Sequence, residues 1–220
     1  MIKAIAFDLD GTLVDFLHFK KETARAAAHE MVKLGLDASE EEIYEKIFEI
    51  YDKKGMEYQK TFADVLSEYD LSLNEFEKIQ QAGIVAYLRT KFGMLRPYPD
   101  VLPALRKLRK DYKLAVVTDA PRNKAWQRLV MTDLQDSFDL VITVDDTGKE
   151  KPHKMPFEKL IKELDLKPEE ILFVGDHPEK DIKGAKEMGM KTAFVNYSDF
   201  ESNSEQDFDI ESIKEIKDNI

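Results

Sequence analysis

The chain has 220 residues, of which 43% are hydrophobic and 35% are charged, and no apolar run is long enough to cross a bilayer. Its formal net charge of -11 disfavours nucleic acid as a general partner. Because there is no cysteine, thiol catalysis, disulfides and thiolate metal sites are excluded, and any bound metal is expected to have oxygen ligands. We therefore expect a soluble globular protein with no membrane partner.

The first predicted element is a buried parallel strand over residues 2–7, which is mostly apolar and stops at a carboxylate followed by a glycine turn. No basic leader or small-residue cleavage site precedes this strand. We expect a cytoplasmic protein on this ground.

A helical block over residues 16–95 follows the first strand. Two sequence patterns typical of capping boxes mark helix starts within it, one formed by Ser39 with Glu42 and the other by Ser72 with Glu75. The apolar residues behind each pattern recur at helical spacing, and no convincing strand occurs in the block. We interpret it as a helical bundle.

An alternating pattern begins after residues 96–99, whose two prolines cannot continue a helix. Strand patterns alternate with helical patterns, which predicts a parallel sheet covered on both faces. The first strand has no partner unless it joins this sheet, so we expect an α/β core formed by residues 1–15 and 96–220 with residues 16–95 inserted. The strand patterns cover residues 113–118, 140–144, 171–175 and 191–195, with an edge strand at Phe208 and Ile210 before a short last helix. The helical patterns cover residues 101–110, 125–134, 156–164 and 181–189.

Polar side chains follow several of these strands at the point where each strand ends. The first strand is followed by Asp8 and Asp10, the second by Thr118 and Asp119, and the fourth by Asp176. In an open parallel sheet, ligands bind outside the carboxyl ends of the strands. These residues are therefore the candidates for chemistry.

Carboxylates gathered at one sheet edge repel one another and need compensation. Asp8 and Asp176 could share an Mg2+ ion, which favours carboxylate oxygens, water and phosphate as ligands. Lys151 lies on the loop after the third strand, and its ammonium could add a second positive charge. Such a site would tolerate an anionic substrate.

The ordered motifs resemble those of the haloacid dehalogenase superfamily. They are DLDGTLVD at the first strand, a strand ending in Thr118, a Lys151-Pro152 pair before a helix, and GDHPEKD at the fourth strand. They span nearly the whole chain in the family's order, and a helical insertion after the first motif is typical of one of its cap classes. The resemblance implies a Rossmann-like core with an inserted α-helical cap domain.

In this superfamily the first aspartate of the first motif, here Asp8, is the nucleophile and forms an aspartyl phosphate. The second, here Asp10, protonates the leaving oxygen and later takes a proton from the hydrolytic water. Its backbone carbonyl also helps to hold the metal. The resemblance thus implies catalytic roles for Asp8 and Asp10.

The remaining motif residues match supporting roles. Thr118 and Lys151 correspond to the groups that bind the transferred phosphoryl group and stabilise its charge. Asp176 corresponds to the third metal ligand beside Asp8 and Asp10, and Asp181 to the carboxylate that orients the lysine or a metal-bound water. The implied cofactor is Mg2+.

One position departs from the family pattern. After the hydroxyl residue the second motif often carries Asn, whereas this chain has Asp119, so the substrate phosphate contact expected there is in question. Members that cleave carbon–halogen bonds lack the second aspartate, because a halide leaves without a proton. The presence of Asp10 therefore favours phosphate ester cleavage.

The expected function is a Mg2+-dependent phosphatase for a small phosphorylated metabolite, such as glyceraldehyde 3-phosphate, phosphoglycolate or a sugar phosphate. A phosphomutase with the same aspartyl nucleophile is the nearest alternative. A phospho-accepting signalling module is a further one, although receiver domains lack the first motif and the helical insertion. The sequence leaves the oligomeric state open between monomer and homodimer.

Overall fold

The computed structural model describes residues 1–197 and 206–220. The chain forms two compact units: the first comprises Met1–Leu17 with Arg96–Ile220, and the second His18–Leu95. In the part of the chain that is described, no helix combines the length and the apolar character that crossing a membrane requires.

The first unit contains a six-stranded parallel sheet, counted over the described residues, in the order β3-β2-β1-β4-β5-β6. The strands are β1 (Ala4–Phe7), β2 (Lys113–Val117), β3 (Leu140–Ile142), β4 (Ile171–Gly175), β5 (Lys191–Val195) and β6 (Phe208–Ile210). The predicted α/β architecture is confirmed, because the first strand lies at the centre of the later sheet, between β2 and β4. The central strands are buried along their length, as expected of strands covered on both faces.

The helices of the second unit are α1 (Phe16–Lys33), which begins just before residue 18, α2 (Glu40–Lys54), α3 (Thr61–Leu66) and α4 (Leu73–Met94). The predicted helix starts are confirmed: the hydroxyls of Ser39 and Ser72 accept from the backbone N–H groups of Glu42 and Glu75. Met31, together with Ile43 and Ile47 on α2, is among the buried residues of an apolar core in this unit.

The helices of the first unit are α5 (Val101–Leu108), α6 (Arg122–Met131), α7 (Val144–Thr147), α8 (Lys154–Leu164), α9 (Gly184–Glu187) and α10 (Ile216–Asn219). A π-helical turn, Pro178–Lys183, leads into α9, and 3-10 turns cover Pro168–Glu170 and Ile213–Glu215. Helix α8 packs on the sheet through Phe157, whose ring meets that of Phe173 at 5.3 Å between centroids.

Several boundaries differ from the predicted ones by a few residues, and two of these differences have a clear local cause. The third strand stops at Ile142, two residues before the predicted end, because Thr143 forms a capping box with Asp146 and starts α7. Helix α6 ends at Met131, three residues before Leu134, since Asp133 adopts a positive φ of 57° that a helix cannot contain.

Candidate active site

The carboxyl ends of three adjacent strands, β2, β1 and β4, form the candidate site. Asp8 follows β1, Thr118 follows β2, and Asp176 follows β4. The N–H of Asp8 donates to Val174 O at 2.9 Å, so the chain after β1 stays registered on β4 as it leaves the sheet. The strand order therefore places the predicted motif residues at one edge.

Lys151 lies at the centre of this edge and is 3% exposed. Its Nζ donates to Asp8 Oδ1 at 2.6 Å, to Asp181 Oδ1 at 2.6 Å and to Val117 O at 3.0 Å. Burial acts to lower the pKa of Lys151, but the carboxylates of Asp181 and Asp8 raise it above the usual lysine range. The buried group is therefore an ammonium ion.

The carboxyl group of Asp8 is also buried, at 7% exposure. Burial raises the pKa of Asp8 well above its ordinary value; Lys151 opposes this effect, and the nearby carboxylates of Asp181, Asp176 and Asp10 add to it. A single ammonium thus does not compensate the charge of the surrounding carboxylates. Additional positive charge would favour the ionised form of Asp8.

Asp176 is held against the turn that follows β1. The hydroxyl of Thr12 donates to Asp176 Oδ1 at 3.2 Å. Gly11 has a φ of +90°, and a Cβ atom at this position would lie 2.3 Å from Asp176 Oδ2. The turn therefore requires glycine both for its backbone conformation and for the space that the carboxylate occupies.

Asp181 is fixed through both carboxylate oxygens. Oδ1 accepts from Lys151, and Oδ2 accepts from the N–H of His177 at 3.1 Å. The π-helical turn Pro178–Lys183 carries the side chain back over the end of β4, where a Cβ atom on Gly175 would lie 2.4 Å from Asp181 Oδ2. This arrangement suits a residue that orients Lys151.

Thr118 and Asp119 follow β2. Thr118 is 4% exposed, and its hydroxyl accepts from the N–H of Ala120 at 3.1 Å. Asp119 accepts from the backbone N–H of Lys151 at 2.8 Å and from Lys180 Nζ at 3.1 Å. Both oxygens of Asp119 are thus engaged by lysine residues of this site.

The carboxyl group of Asp10 contacts a different cation from that of Asp8. Its Oδ2 accepts from Arg128 NH1 at 2.6 Å, and the Asp10 side chain is 21% exposed. Of the predicted site residues, the structure therefore joins Asp8, Lys151 and Asp181 by direct contacts and links Asp119 to the same lysine. Asp10 is connected to α6 instead.

The family model of the haloacid dehalogenase-like hydrolases matches residues 5–195. The chain belongs to this family. The match extends from β1 to the end of β5 and so includes every predicted site residue.

Three proteins illustrate the family likeness. Glyceraldehyde 3-phosphate phosphatase of Methanocaldococcus jannaschii is 38% identical over 99% of this chain and 96% of its own length. The enzyme of the same name from Methanopyrus kandleri is 36% identical over 99% of this chain and 97% of its own length. The crystal structure of a HAD phosphatase from Thermococcus onnurineus is 28% identical, with a TM-score of 0.70 over 99% of this chain and 97% of that one. The family assignment thus holds over nearly the full length.

The residues of this family member fit an oxygen-bound divalent cation. Asp8, Asp176 and Asp181, all buried, each offer a carboxylate oxygen within 4.8 Å of the others. Asp181 already accepts hydrogen bonds from two donors, Lys151 and the N–H of His177. Asp8 and Asp176 follow two paired strands, β1 and β4. Buried carboxylates in excess over ammonium groups are the donor set that a hard cation such as Mg2+ favours.

Two site residues escaped the sequence reasoning. Arg128 lies 118 positions from Asp10, and nothing in its local sequence distinguishes it from a solvated helix residue. Lys180 lies inside the GDHPEKD motif, which gives it a weak signal, but its pairing with Asp119 depends on the fold. The only signal for either residue is that a carboxylate at a strand end needs a cationic partner.

Proposed function

We propose that this protein is a Mg2+-dependent phosphatase that hydrolyses a small phosphorylated metabolite through a phosphorylated Asp8. The observation that carries the proposal is the buried contact of Asp8 with Lys151, in a family member whose relatives at 36–38% identity are named glyceraldehyde 3-phosphate phosphatases. Those names make glyceraldehyde 3-phosphate the first substrate to test.

In the first half of the reaction, a carboxylate oxygen of Asp8 attacks the phosphorus atom and the bond to the ester oxygen breaks. Asp10 supplies the proton that the departing alkoxide needs. The ammonium of Lys151 and the hydroxyl of Thr118 stabilise the charge on the transferred group. The products of this half are a free alcohol and an aspartyl phosphate on Asp8.

In the second half, water attacks the phosphorus atom of the aspartyl phosphate, and Asp10 takes a proton from that water. The bond to the Asp8 oxygen breaks, which releases inorganic phosphate and restores the carboxylate. Asp181 keeps Lys151 in place throughout, since it holds the ammonium at 2.6 Å.

The proposed metal ligands are Asp8, Asp176 and the backbone carbonyl of Asp10. Bound there, Mg2+ would neutralise the excess negative charge of the carboxylate cluster and allow an anionic substrate to approach. The raised pKa of Asp8 in the protein alone is consistent with this need for further positive charge.

The test measures phosphate release from glyceraldehyde 3-phosphate, phosphoglycolate, several sugar phosphates and an activated aryl phosphate, with Mg2+ and with a chelator. We expect Asp8→Asn to lower turnover by about 10^3-fold or more, because the amide is a poor nucleophile. Asp165→Asn is the matched control, since Asp165 ends α8 with a φ of 52° that Asn also adopts.

The outcomes separate the candidate activities. Metal-dependent release that Asp8→Asn abolishes and Asp165→Asn retains supports the phosphatase. Conversion of a sugar phosphate into its isomer without release would establish the phosphomutase instead. Phosphorylation of Asp8 without turnover would establish a phospho-accepting module.

A further inference from the structure

A partly buried ion pair joins the first motif to helix α6. Arg128 NH1 lies 2.6 Å from Asp10 Oδ2, and the Arg128 side chain is only 6% exposed. A hydrogen bond from a guanidinium ion to a carboxyl group is short and strongly directional. The orientation of the Asp10 carboxyl group is therefore set by a residue outside the family motifs.

The guanidinium group is itself held in place. Its central carbon lies 4.3 Å from the centroid of the Phe16 ring, at the start of α1. A planar guanidinium that stacks on an aromatic ring and bonds to a carboxylate has little rotational freedom. Arg128 can thus transmit the position of α6 to Asp10.

We propose that Arg128 is a positioning residue for proton transfer by Asp10. This inference rests on the proposed phosphatase function and deepens it. Arg128 bonds to one carboxyl oxygen of Asp10, Oδ2, and the proposed proton transfer uses the other oxygen, Oδ1.

Loss of Arg128 should affect alkyl and aryl phosphate esters differently. The proton on Oδ1 goes to the leaving oxygen as the phosphorus–oxygen bond breaks, and a later proton comes from the attacking water. An alkyl ester needs that first proton, whereas an activated aryl phosphate departs as a stable anion. A misplaced Asp10 should therefore impair alkyl ester hydrolysis far more than aryl phosphate hydrolysis.

The experiment compares kcat/KM for glyceraldehyde 3-phosphate with that for p-nitrophenyl phosphate in the intact protein and in Arg128→Gln, Arg128→Lys and Asp10→Asn. The ratio of the two values is the readout, because both substrates report on the same folded fraction of each sample. We expect Arg128→Gln to lower this ratio by about 10- to 100-fold, mainly through kcat, since the interaction acts in the transition state. Arg128→Lys should restore part of the loss.

The matched control is Arg122→Gln. Arg122 begins the same helix, but its guanidinium pairs with Asp146 at 2.7 Å and is 54% exposed. We expect this variant to keep the ratio of the intact protein. The double variant Asp10→Asn with Arg128→Gln should show no further loss beyond Asp10→Asn alone, because both changes remove one function.

Failure of the inference is distinguishable from failure of the proposed function. If the intact protein releases phosphate in an Asp8-dependent manner but Arg128→Gln and Arg128→Lys leave the ratio unchanged, Arg128 has only a structural role. Additive losses in the double variant would likewise show that Arg128 does not act through Asp10. Absence of phosphate release from every substrate by the intact protein would instead remove the phosphatase proposal.

Discussion

Asp119 stands where the second motif of the family often carries Asn, and its surroundings show why a carboxylate is accommodated there. Its Oδ1 accepts from the backbone N–H of Lys151 and so holds the loop that carries this lysine. Its Oδ2 accepts from Lys180 Nζ, which pairs the charge of the carboxylate. We propose that Asp119 holds the loop that carries Lys151. The predicted phosphate contact at Asp119 stays a prediction.

This role separates two substitutions at the position. Asp119→Asn keeps an oxygen that can accept from the Lys151 N–H and loses the charge that pairs with Lys180, whose side chain is 39% exposed. Asp119→Ala removes the acceptor, and we expect it to lower the free energy of unfolding by about 1–2 kcal/mol and kcat by about 10-fold. Urea unfolding and steady-state kinetics measure both effects, and equal damage from the two variants would show that the charge matters instead.

Residue spacing predicted the aspartates and Lys151 of the site because parallel strands end at one edge. It could not predict Arg128, because contact between α6 and the first motif depends on how the helix packs over the sheet. It also could not show that Thr12 supports Asp176, since a threonine after a turn glycine is equally consistent with a helix cap. Side-chain partners across the fold were beyond the sequence pattern.

At the level of elements, the end of β4 is built around the absence of a side chain at Gly175. Asp181 occupies the space where a Cβ atom would lie, and this contact seats the π-helical turn against the strand. Strand end, turn and Lys151 therefore form one packed unit.

We expect Gly175→Ala to displace Asp181 and release Lys151 from one of its carboxylate partners, lowering kcat by about 10-fold or more. The melting temperature should also fall. Gly93→Ala is the control, because Gly93 lies in α4 with nothing within 4 Å of its would-be Cβ, and alanine there should be neutral or stabilising by about 1 kcal/mol. Full activity in Gly175→Ala would contradict this account of the turn.

The edge strand β6 is tied to β5 through Asp207. Its carboxylate accepts from Lys191 Nζ at 2.8 Å, from the N–H of Thr192 at 3.0 Å and from Lys186 Nζ at 3.2 Å. Burial acts to raise the pKa of Asp207, but these hydrogen bonds outweigh it and lower the pKa to about 2. The ionised form therefore stabilises the folded protein.

The sign of the pH dependence follows from that lowered pKa. The stabilisation is present at pH values above the unfolded pKa of about 4 and is lost as the pH falls towards 2. Asp207→Asn should lower the free energy of unfolding by about 2 kcal/mol at pH 7, and its difference from the intact protein should shrink below about pH 4. Urea unfolding across this range measures it, with Asp209→Asn on the exposed face of β6 as control; a difference independent of pH would refute the assignment.

Element boundaries were predictable where a local signal marks them. Ser72 and Glu75 predicted the start of α4, and the structure contains that capping box. The short helix α7 was missed, because Thr143 and Asp146 form the same kind of box with too few apolar residues behind it to show a helical period. Short elements depend on local hydrogen bonds that periodicity does not reveal.

For the whole molecule, alternation of strands and helices was enough to predict the parallel sheet with the first strand inside it. Residues 18–95 form a compact unit with its own core. That the inserted residues 16–95 act as a cap that selects the substrate stays a prediction. The family match covers residues 5–195 and supports hydrolase chemistry without naming the substrate. Substrate choice depends on side chains that no motif identifies.

In the proposed reaction, Asp8 carries the phosphoryl group between the two half-reactions. The most direct measurement is acid quenching of Asp10→Asn during turnover of p-nitrophenyl phosphate, followed by mass spectrometry of its peptides, because slow hydrolysis should let the intermediate accumulate. We predict a phosphoryl group on Asp8 that is absent when the same substrate is mixed with Asp8→Asn. Turnover without any phosphorylated peptide, or a phosphoryl group on another residue, would exclude Asp8 as the nucleophile.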